Sequence, residues 1–432
     1  MRSSNVLVIL CFLFSIFLTG CSQEKAVTNI TPLEYKTIDD LAQATIVPYL
    51  SQELWIKRDI YDAGHRLMVP LHYAFANDDN KLIQSFEDHF TRFLNEGLSK
   101  VDITIDSQRL DTLQYYYVLS RYLVLADKNN SYNFDSAVHE ELKNHLIADI
   151  EKIWLRIPAW QWDREHFENG MKERLDWKLD NLDTEKSYYR AIIDEELFTL
   201  AIAADLSILE PDNSVLREIN KYAFKVLQRE GKFDEEGKWL FQVGVWDDHP
   251  DYAYAGYTSK EKVTGTKPIV GIAADSSHFH RFPLWINSFI QATEEGTEEN
   301  RLFKNILEGL EKQFFNNVLI PPNDDVPYYR LTNYMDGYNG LYRWNYATMP
   351  NDGYGPYELS GTFSLGWWTF LGSERIKHVY KDLYNQYPLT DEVIKLYVGP
   401  NTTRERNPLV KEPDVYFNGF NELITYYASE VK

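Results

Sequence analysis

An all-α fold, with antiparallel helix pairs arranged as an incomplete or complete α/α toroid, is what this sequence predicts. Three observations carry that expectation. Apolar residues recur at helical spacing along most of the 432-residue chain. No stretch alternates apolar and polar residues for long enough to suggest a strand-rich fold. No fixed-period repeat is present, which favours a closed ring of helices over an open solenoid.

The helices are expected near 38–62, 64–76, 79–97, 107–127, 134–156, 163–180, 184–208, 213–230, 276–293, 296–316, 357–386, 389–397 and 412–430. Val138, Leu142, Leu146, Ile150, Ile153 and Trp154 form one apolar stripe, and Ile193, Leu197, Leu200, Ala201 and Ala204 form another. Start signals fit these limits. "DSQR" places Asp106 or Ser107 before one helix, "DTEK" places Asp183 or Thr184 before another, and Asp275 or Ser276 is the expected N-cap of a third. Aromatic residues make up 15% of the chain, with 30 tyrosines and 11 tryptophans, enough both to pack helices and to present flat amphipathic rings at a surface.

The first 21 residues read as an address. Arg2 is followed by an apolar run from Val6 to Leu18, too short for a permanent membrane span, and then by "LTGC" ending at Cys21. This resembles a bacterial lipoprotein signal, which implies cleavage before Cys21, lipidation of that cysteine, and attachment to the envelope of a Gram-negative bacterium, with Ser22 favouring the outer membrane. Residues 22–32 would be a tether and 33–432 a single helical domain. Cys11 leaves with the signal, so disulfides, thiolate metal sites and cysteine nucleophiles are excluded. The net charge of −21 argues against phosphate-tracking nucleic-acid binding, and disfavours polyanionic ligands unless a local basic patch offsets it. No HExxH or comparable ligand spacing occurs, so no metal site of that kind is expected; no cofactor is expected either, and only calcium near "NDD" (323–325) stays open.

Two long irregular stretches, Gly231 to about Ser277 and Pro321 to about Pro356, interrupt the helices, and segments of that length usually carry function. They are expected to gather at one end of the toroid and build a cleft. The first contains "WDDHPDYAYAGY" (246–257) and leads into "DSSHFHRFPLW" (275–285); the second contains "YYRLTNYMDGYNGLYRWNYATMPNDGYGPYE" (328–358). His249, Tyr252, Tyr254 and Tyr257 lie close together in sequence. A tyrosine beside a histidine, with Arg281, Arg330 or Arg343 to hold a carboxylate, suits β-elimination at a uronic acid. His278 and Arg281 are three apart and would share a helix face, with His280 pointing elsewhere. Glycines at 337, 340, 353 and 355 allow turns that would expose Tyr338, Tyr342, Trp344 and Tyr346 as a stacking platform alongside Trp246 and Tyr329, and Glu358 falls at an expected helix start.

The stretch "GKFDEEGKWLFQVGVWDDHPDYAYAGY" (231–257) resembles a segment of the hyaluronate and chondroitin AC-type lyases, in which an aspartate-glycine-serine turn precedes a histidine followed by tyrosine, glycine and tyrosine. The resemblance implies an α/α toroid that cleaves an acidic polysaccharide, with His249 at the histidine and Tyr254 and Gly256 at the tyrosine-x-glycine. Tyr257 stands one position early for the catalytic tyrosine. Glu236-Gly237-Lys238 replaces the aspartate-glycine-serine, and the asparagine-tryptophan-tryptophan motif of those enzymes is missing.

Elimination would use Tyr254 or Tyr257 as base and acid with His249 beside it. Inverting hydrolysis is the alternative, with a carboxylate pair drawn from Asp247, Asp248, Asp251, Asp336 and Glu358. A third reading is a lipoprotein that binds a polysaccharide or oligosaccharide without cutting it.

Overall fold

In the computed structural model the described residues are 37–346, 349–400 and 406–431. The expected signal with Cys21 and the tether at 22–32 lie outside them. The described residues belong to one unit, and the fold is all-α. Its helices are α1 Ile38–Ala44, α2 Ile46–Leu50, α3 Asp59–Arg66, α4 Met68–Ala76, α5 Asn80–Arg92, α6 Asp106–Lys128, α7 Ser136–Leu155 and α8 Gly170–Asp180. They continue with α9 Asp194–Leu209, α10 Ser214–Glu230, α11 Ser276–Phe279, α12 Phe282–Gln291, α13 Glu298–Gln313, α14 Glu374–Tyr384, α15 Asp391–Val398 and α16 Phe420–Glu430. Strand is confined, among the described residues, to two short antiparallel pairs, β1 Gly231–Phe233 with β2 Trp239–Phe241 and β3 Leu319–Ile320 with β4 Arg330–Leu331.

The innermost helices carry the least polar surface. Every residue from Glu195 to Leu206 of α9 is buried, so this helix is surrounded by protein on all sides. It packs between α6 and α12; α12 meets the turn at Trp367–Leu371, that turn meets α16, and α16 returns to α4, which touches α6. Helices α5, α7, α10, α13 and α14 each pack on an inner partner. Close approach is built into the sequence: a Cβ on Gly64 would lie 2.8 Å from the Gln114 side chain, so glycine is what lets α3 lie against α6.

Several expected helices are shorter than the apolar pattern suggests, for local reasons. The span 38–62 breaks at Thr45, whose backbone leaves the helical region (φ −127°, ψ −78°), and again between Leu50 and Asp59. The span 357–386 opens as two 3-10 turns, because Gly366 (φ +80°) and Gly372 (φ +76°) adopt the left-handed conformation that ends a helical run. "DTEK" starts no helix: residues 181–193 form a loop with a 3-10 turn at Ser187–Arg190, and α9 starts at Asp194, where the Glu196 carboxylate accepts from the Ile193 amide at 2.7 Å. The 163–180 helix begins only at Gly170, and 412–419 is a turn rather than the start of α16.

A buried ionic cluster explains why the segment between α7 and α9 is nevertheless well fixed. Arg174 reaches Glu195 at 2.7 Å and Glu196 at 2.9 Å, Arg109 pairs with Glu195, and Lys178 pairs with Glu196 at 2.6 Å, all fully buried. The same cations bind the flanking loops, Arg174 donating to the Trp160 carbonyl and Lys178 to the Ala191 carbonyl. Charges taken out of water need such partners. Here the cluster also fixes the backbone at Trp160 and Ala191, next to Trp162 and Ile192 in sequence.

Candidate functional site

The two long irregular stretches pack on each other, as their shared-cleft role requires. The Arg343 amide donates to the Asp251 carbonyl at 2.9 Å, the Leu341 amide to Tyr257 at 2.8 Å, and the Met335 amide to Ala274 at 3.0 Å. Gly340 lies so close to the Ala255 carbonyl that a Cβ would meet its oxygen at 1.7 Å. Tyr252, Ala255, Ile272, Tyr334, Tyr342 and Leu359 form a small separate core between the stretches.

Two cavities, of about 210 and 200 Å³, open along this assembly. One is polar, with Arg58, Asp62, His65, Arg66, Arg281 and Arg406 in its walls. The other is aromatic, lined by Trp162, Phe241, Trp246, His249 and Tyr252. His278, Tyr342 and Arg343 line both cavities and so stand at their junction.

Residues of the "WDDHPDYAYAGY" loop divide into braces and cleft groups. Asp247 accepts from the amides of Gly271 (2.7 Å) and Ile272 (3.1 Å). Asp248 accepts from the Ser187 hydroxyl (2.6 Å) and amide (2.9 Å). Both are tied to backbone rather than presented to a ligand. Asp251 faces the aromatic cavity and receives the Arg343 Nε at 2.8 Å. His249 caps the 3-10 turn Pro250–Tyr252, its Nδ1 accepting from the Asp251 amide at 3.2 Å. Burial, partly opposed by the Asp251 charge, lowers its pKa. His249 is thus a neutral ring with its proton on Nε2, packed edge-to-face against Tyr188 (4.9 Å) and Trp246 (5.3 Å).

Tyr254 and Tyr257 do not line either cavity. The Tyr257 hydroxyl donates to the Thr264 carbonyl at 2.7 Å, and the Tyr254 hydroxyl receives Asn345 Nδ2 at 3.4 Å. The loop curls so that Tyr252, not its successors, turns inward. Its hydroxyl donates to Asp275 at 2.9 Å, and burial followed by the Asp275 charge raises its pKa well above the usual phenol range.

Asp275 caps α11, accepting from the His278 amide at 3.0 Å. The same carboxylate lies 2.8 Å from His278 Nδ1 and also receives the Ser277 hydroxyl. Burial opposes its ionisation, but the His278 charge and these hydrogen bonds outweigh it and hold the carboxyl far below the ordinary range. An ionised Asp275 makes Nδ1 the donor, so whenever the ring carries a single proton its lone pair stands at Nε2.

The expected pairing of His278 with Arg281 is not formed. The helix is interrupted between Phe279 and Phe282, and the buried Arg281 turns to Asp194 and to His65 Nε2 (2.7 Å). Arg343 is the cation that remains at the junction. It sits at φ +53°, a conformation that costs a residue with a Cβ about 1 kcal/mol or more, and its two bonds to Asp251 maintain it there.

The tyrosine-rich second stretch is less exposed than expected. Tyr342 is 2% exposed and packs edge-to-face on Tyr252 at 5.4 Å, while Tyr338 is half-buried against the same small core. Period-free tyrosines gave no sign that the stretch would fold inward on itself. Trp344 and Tyr346 are half-buried, Arg343 lying 4.9 Å from the Tyr346 ring. Tyr329 and Arg330 lie away from the cavities, the Tyr329 hydroxyl donating to Asp382 and the Arg330 guanidinium stacking on Tyr357. Asp336 accepts from the amides of Ala273 and Tyr338, and Glu358 receives the Gly355 amide and pairs with Lys260 at 2.7 Å. Of the five carboxylates considered for hydrolysis, each is engaged by backbone or by a cation.

Sequence reasoning missed Trp162, the Asp275–His278 pair, and Arg58, Arg66 and Arg406. Only the first had a local signal, the Trp160/Trp162 pair beside Pro158 in the turn between the helices expected at 134–156 and 163–180. Comparison with known protein families and with curated proteins finds no match for this chain.

Proposed function

We propose that this protein binds and cleaves an acidic polysaccharide by β-elimination at a uronic acid. The observation that carries the reading is the composition of the cavity junction: a histidine oriented by a buried carboxylate, a tyrosine whose hydroxyl has no hydrogen-bond partner among the described residues, and an arginine. These are the base, acid and carboxylate-neutralising groups that elimination needs. His278 Nε2 takes the C5 proton, with Arg343 facing the uronate carboxylate and stabilising the charge that develops on it. The C5–H electrons form the C4=C5 double bond as the C4–O bond breaks. Tyr342, kept protonated because burial raises its pKa well above the usual range, gives its proton to the departing oxygen. The proton on His278 then returns to Tyr342 through solvent.

Tyr254 and Tyr257, placed outside the cavities, have no part in this scheme. His249 serves instead as an Nε2–H donor beside Trp162 and Trp246, whose rings offer a stacking surface to a sugar. We read the returning order of helix packing as an α/α toroid, and the chain as anchored through a lipidated Cys21 in a Gram-negative envelope, so that Cys21→Ser would release the protein from the membrane fraction.

The test is incubation with a panel of uronate polysaccharides, followed by ultraviolet absorbance of the conjugated double bond. Wild type is expected to generate the signal on at least one polymer and His278→Ala to lose it. Reducing sugar released without absorbance would establish hydrolysis instead, and binding without release of any product would leave a non-catalytic lipoprotein.

A further inference from the structure

We propose that the polar cavity is a subsite for a second anionic group of the same polysaccharide, a sulfate or carboxylate on a sugar neighbouring the one held at Arg343. This rests on the acidic-glycan reading above and extends it: the preferred substrate carries closely spaced negative charges. Arg58, Arg66 and Arg406 enter this cavity, and among the described residues they pair with Asp62 and Glu412, while the third carboxylate in the lining, Glu358, is taken by Lys260. Their ion pairs are loose. Arg58 Nε lies 3.4 Å from Asp62, Arg406 3.8 Å from Asp62 and 3.5 Å from Glu412, and Arg66 3.8 Å from Glu412. In the buried cluster that braces α9, by contrast, Arg174 meets its carboxylates at 2.7 and 2.9 Å.

Among the described residues the three guanidinium forks share two carboxylates; Arg66 Nη1 donates to Asn421, and Arg58 Nε has no hydrogen-bond partner. The side chains are nonetheless ordered before any ligand arrives. Arg58 lies 3.6 Å above the Tyr61 ring, and the Arg58, Arg66 and Arg406 side chains are only 16%, 6% and 22% exposed. Planar forks held in this way suit the bidentate geometry of sulfate or carboxylate. His65 and His280, which also face the cavity, are kept neutral mainly by burial, so the arginines supply its positive charge. In a chain of net charge −21 the long-range field repels polyanions, so short-range chelation of this kind is what would retain one.

The experiment measures binding of a heavily sulfated glycosaminoglycan, polygalacturonate and neutral dextran to wild type and to Arg58→Gln/Arg406→Gln, across a salt series, with melting temperature as the folding control. The double variant is expected to lose about tenfold or more in affinity for a polyanion and to show a shallower salt dependence. Preference for the sulfated polymer assigns the subsite to sulfate, and preference for polygalacturonate assigns it to carboxylate. If the glutamine variant does not fold, Arg58→Lys/Arg406→Lys, which keeps charge but removes the fork, should show a smaller loss of the same kind. Unchanged polyanion affinity in a folded variant, or dextran binding as tight as that of the polyanions, overturns the subsite. Arginine-dependent binding with no unsaturated product would instead leave the subsite standing and refute the elimination chemistry.

Discussion

The Asp275 carboxylate lies 2.8 Å from the Nδ1 of His278 while also capping the short helix on which that histidine sits. One side chain thus fixes both the backbone and the tautomer of the group proposed as base. The Tyr252 hydroxyl, donating to the same carboxylate, ties the pair to the loop that carries His249.

Asp275→Asn separates these two duties. Asparagine caps a helix about as well as aspartate, so the fold should survive with a loss of no more than about 1–2 kcal/mol. It cannot provide the negative charge that holds the Nδ1 proton, and turnover should fall by about 10²-fold or more. A folded variant with wild-type turnover would remove His278 from the base role.

Tyrosine-to-phenylalanine substitutions discriminate among the tyrosines. The Tyr342 hydroxyl has no hydrogen-bond partner among the described residues, so Tyr342→Phe should leave the melting temperature almost unchanged and abolish elimination. Tyr257→Phe should do the reverse, losing about 1 kcal/mol with the bond to Thr264 while turnover persists. Loss of turnover in Tyr257→Phe at normal stability would restore the outward tyrosines to the mechanism.

What was legible in the sequence follows from the range of the interactions involved. Leu142, Leu146, Ile150, Ile153 and Trp154 are buried in α7 as their spacing requires, because helical periodicity is local. The cleft residues His249, Tyr252, His278, Tyr342 and Arg343 were found because irregular, chemistry-rich segments must lie where the helices do not. Their roles were not legible. Whether Tyr252 or Tyr257 turns inward depends on contacts with Asp275 and Thr264, and the polar cavity is completed by Arg58 and Arg66, nearly two hundred residues upstream of His249. Neither fact leaves a local pattern.

Acid should destabilise the protein earlier than its carboxylates alone would dictate. His65, His89 and His280 are buried and His72 is half-buried, and desolvation is the first cause of a lowered pKa in each, to about 3 for His89. The unfolded chain binds protons at these positions near pH 6.5 and the folded chain does not, so stability is complete above that pH and declines as pH falls towards the folded values. Each such histidine removes about 1.4 kcal/mol per pH unit inside that window. His72→Phe keeps the edge contact with Phe370 and removes one titrating group. The slope of unfolding free energy against pH between about 6 and 5 should therefore be shallower by about one proton. An unchanged slope would mean that His72 titrates alike in both states.

The apposition of Gly340 and Ala255 makes the cleft separable from the helical core. A methyl group at 340 would have to displace the Ala255 carbonyl, which it would otherwise meet at 1.7 Å, and this carbonyl belongs to the loop that carries His249 and Asp251. The second stretch would move away from the first, weakening the bonds from Arg343 to Asp251 that hold Arg343 in its left-handed conformation. Overpacking of this kind costs about 1–3 kcal/mol. None of the buried residues of α6, α9 or α12 takes part in this contact. Gly340→Ala should therefore retain the helical circular-dichroism signal and a cooperative thermal transition while losing turnover and polyanion affinity together. Loss of helical signal in parallel with activity would show that the two irregular stretches support the helices rather than rest on them.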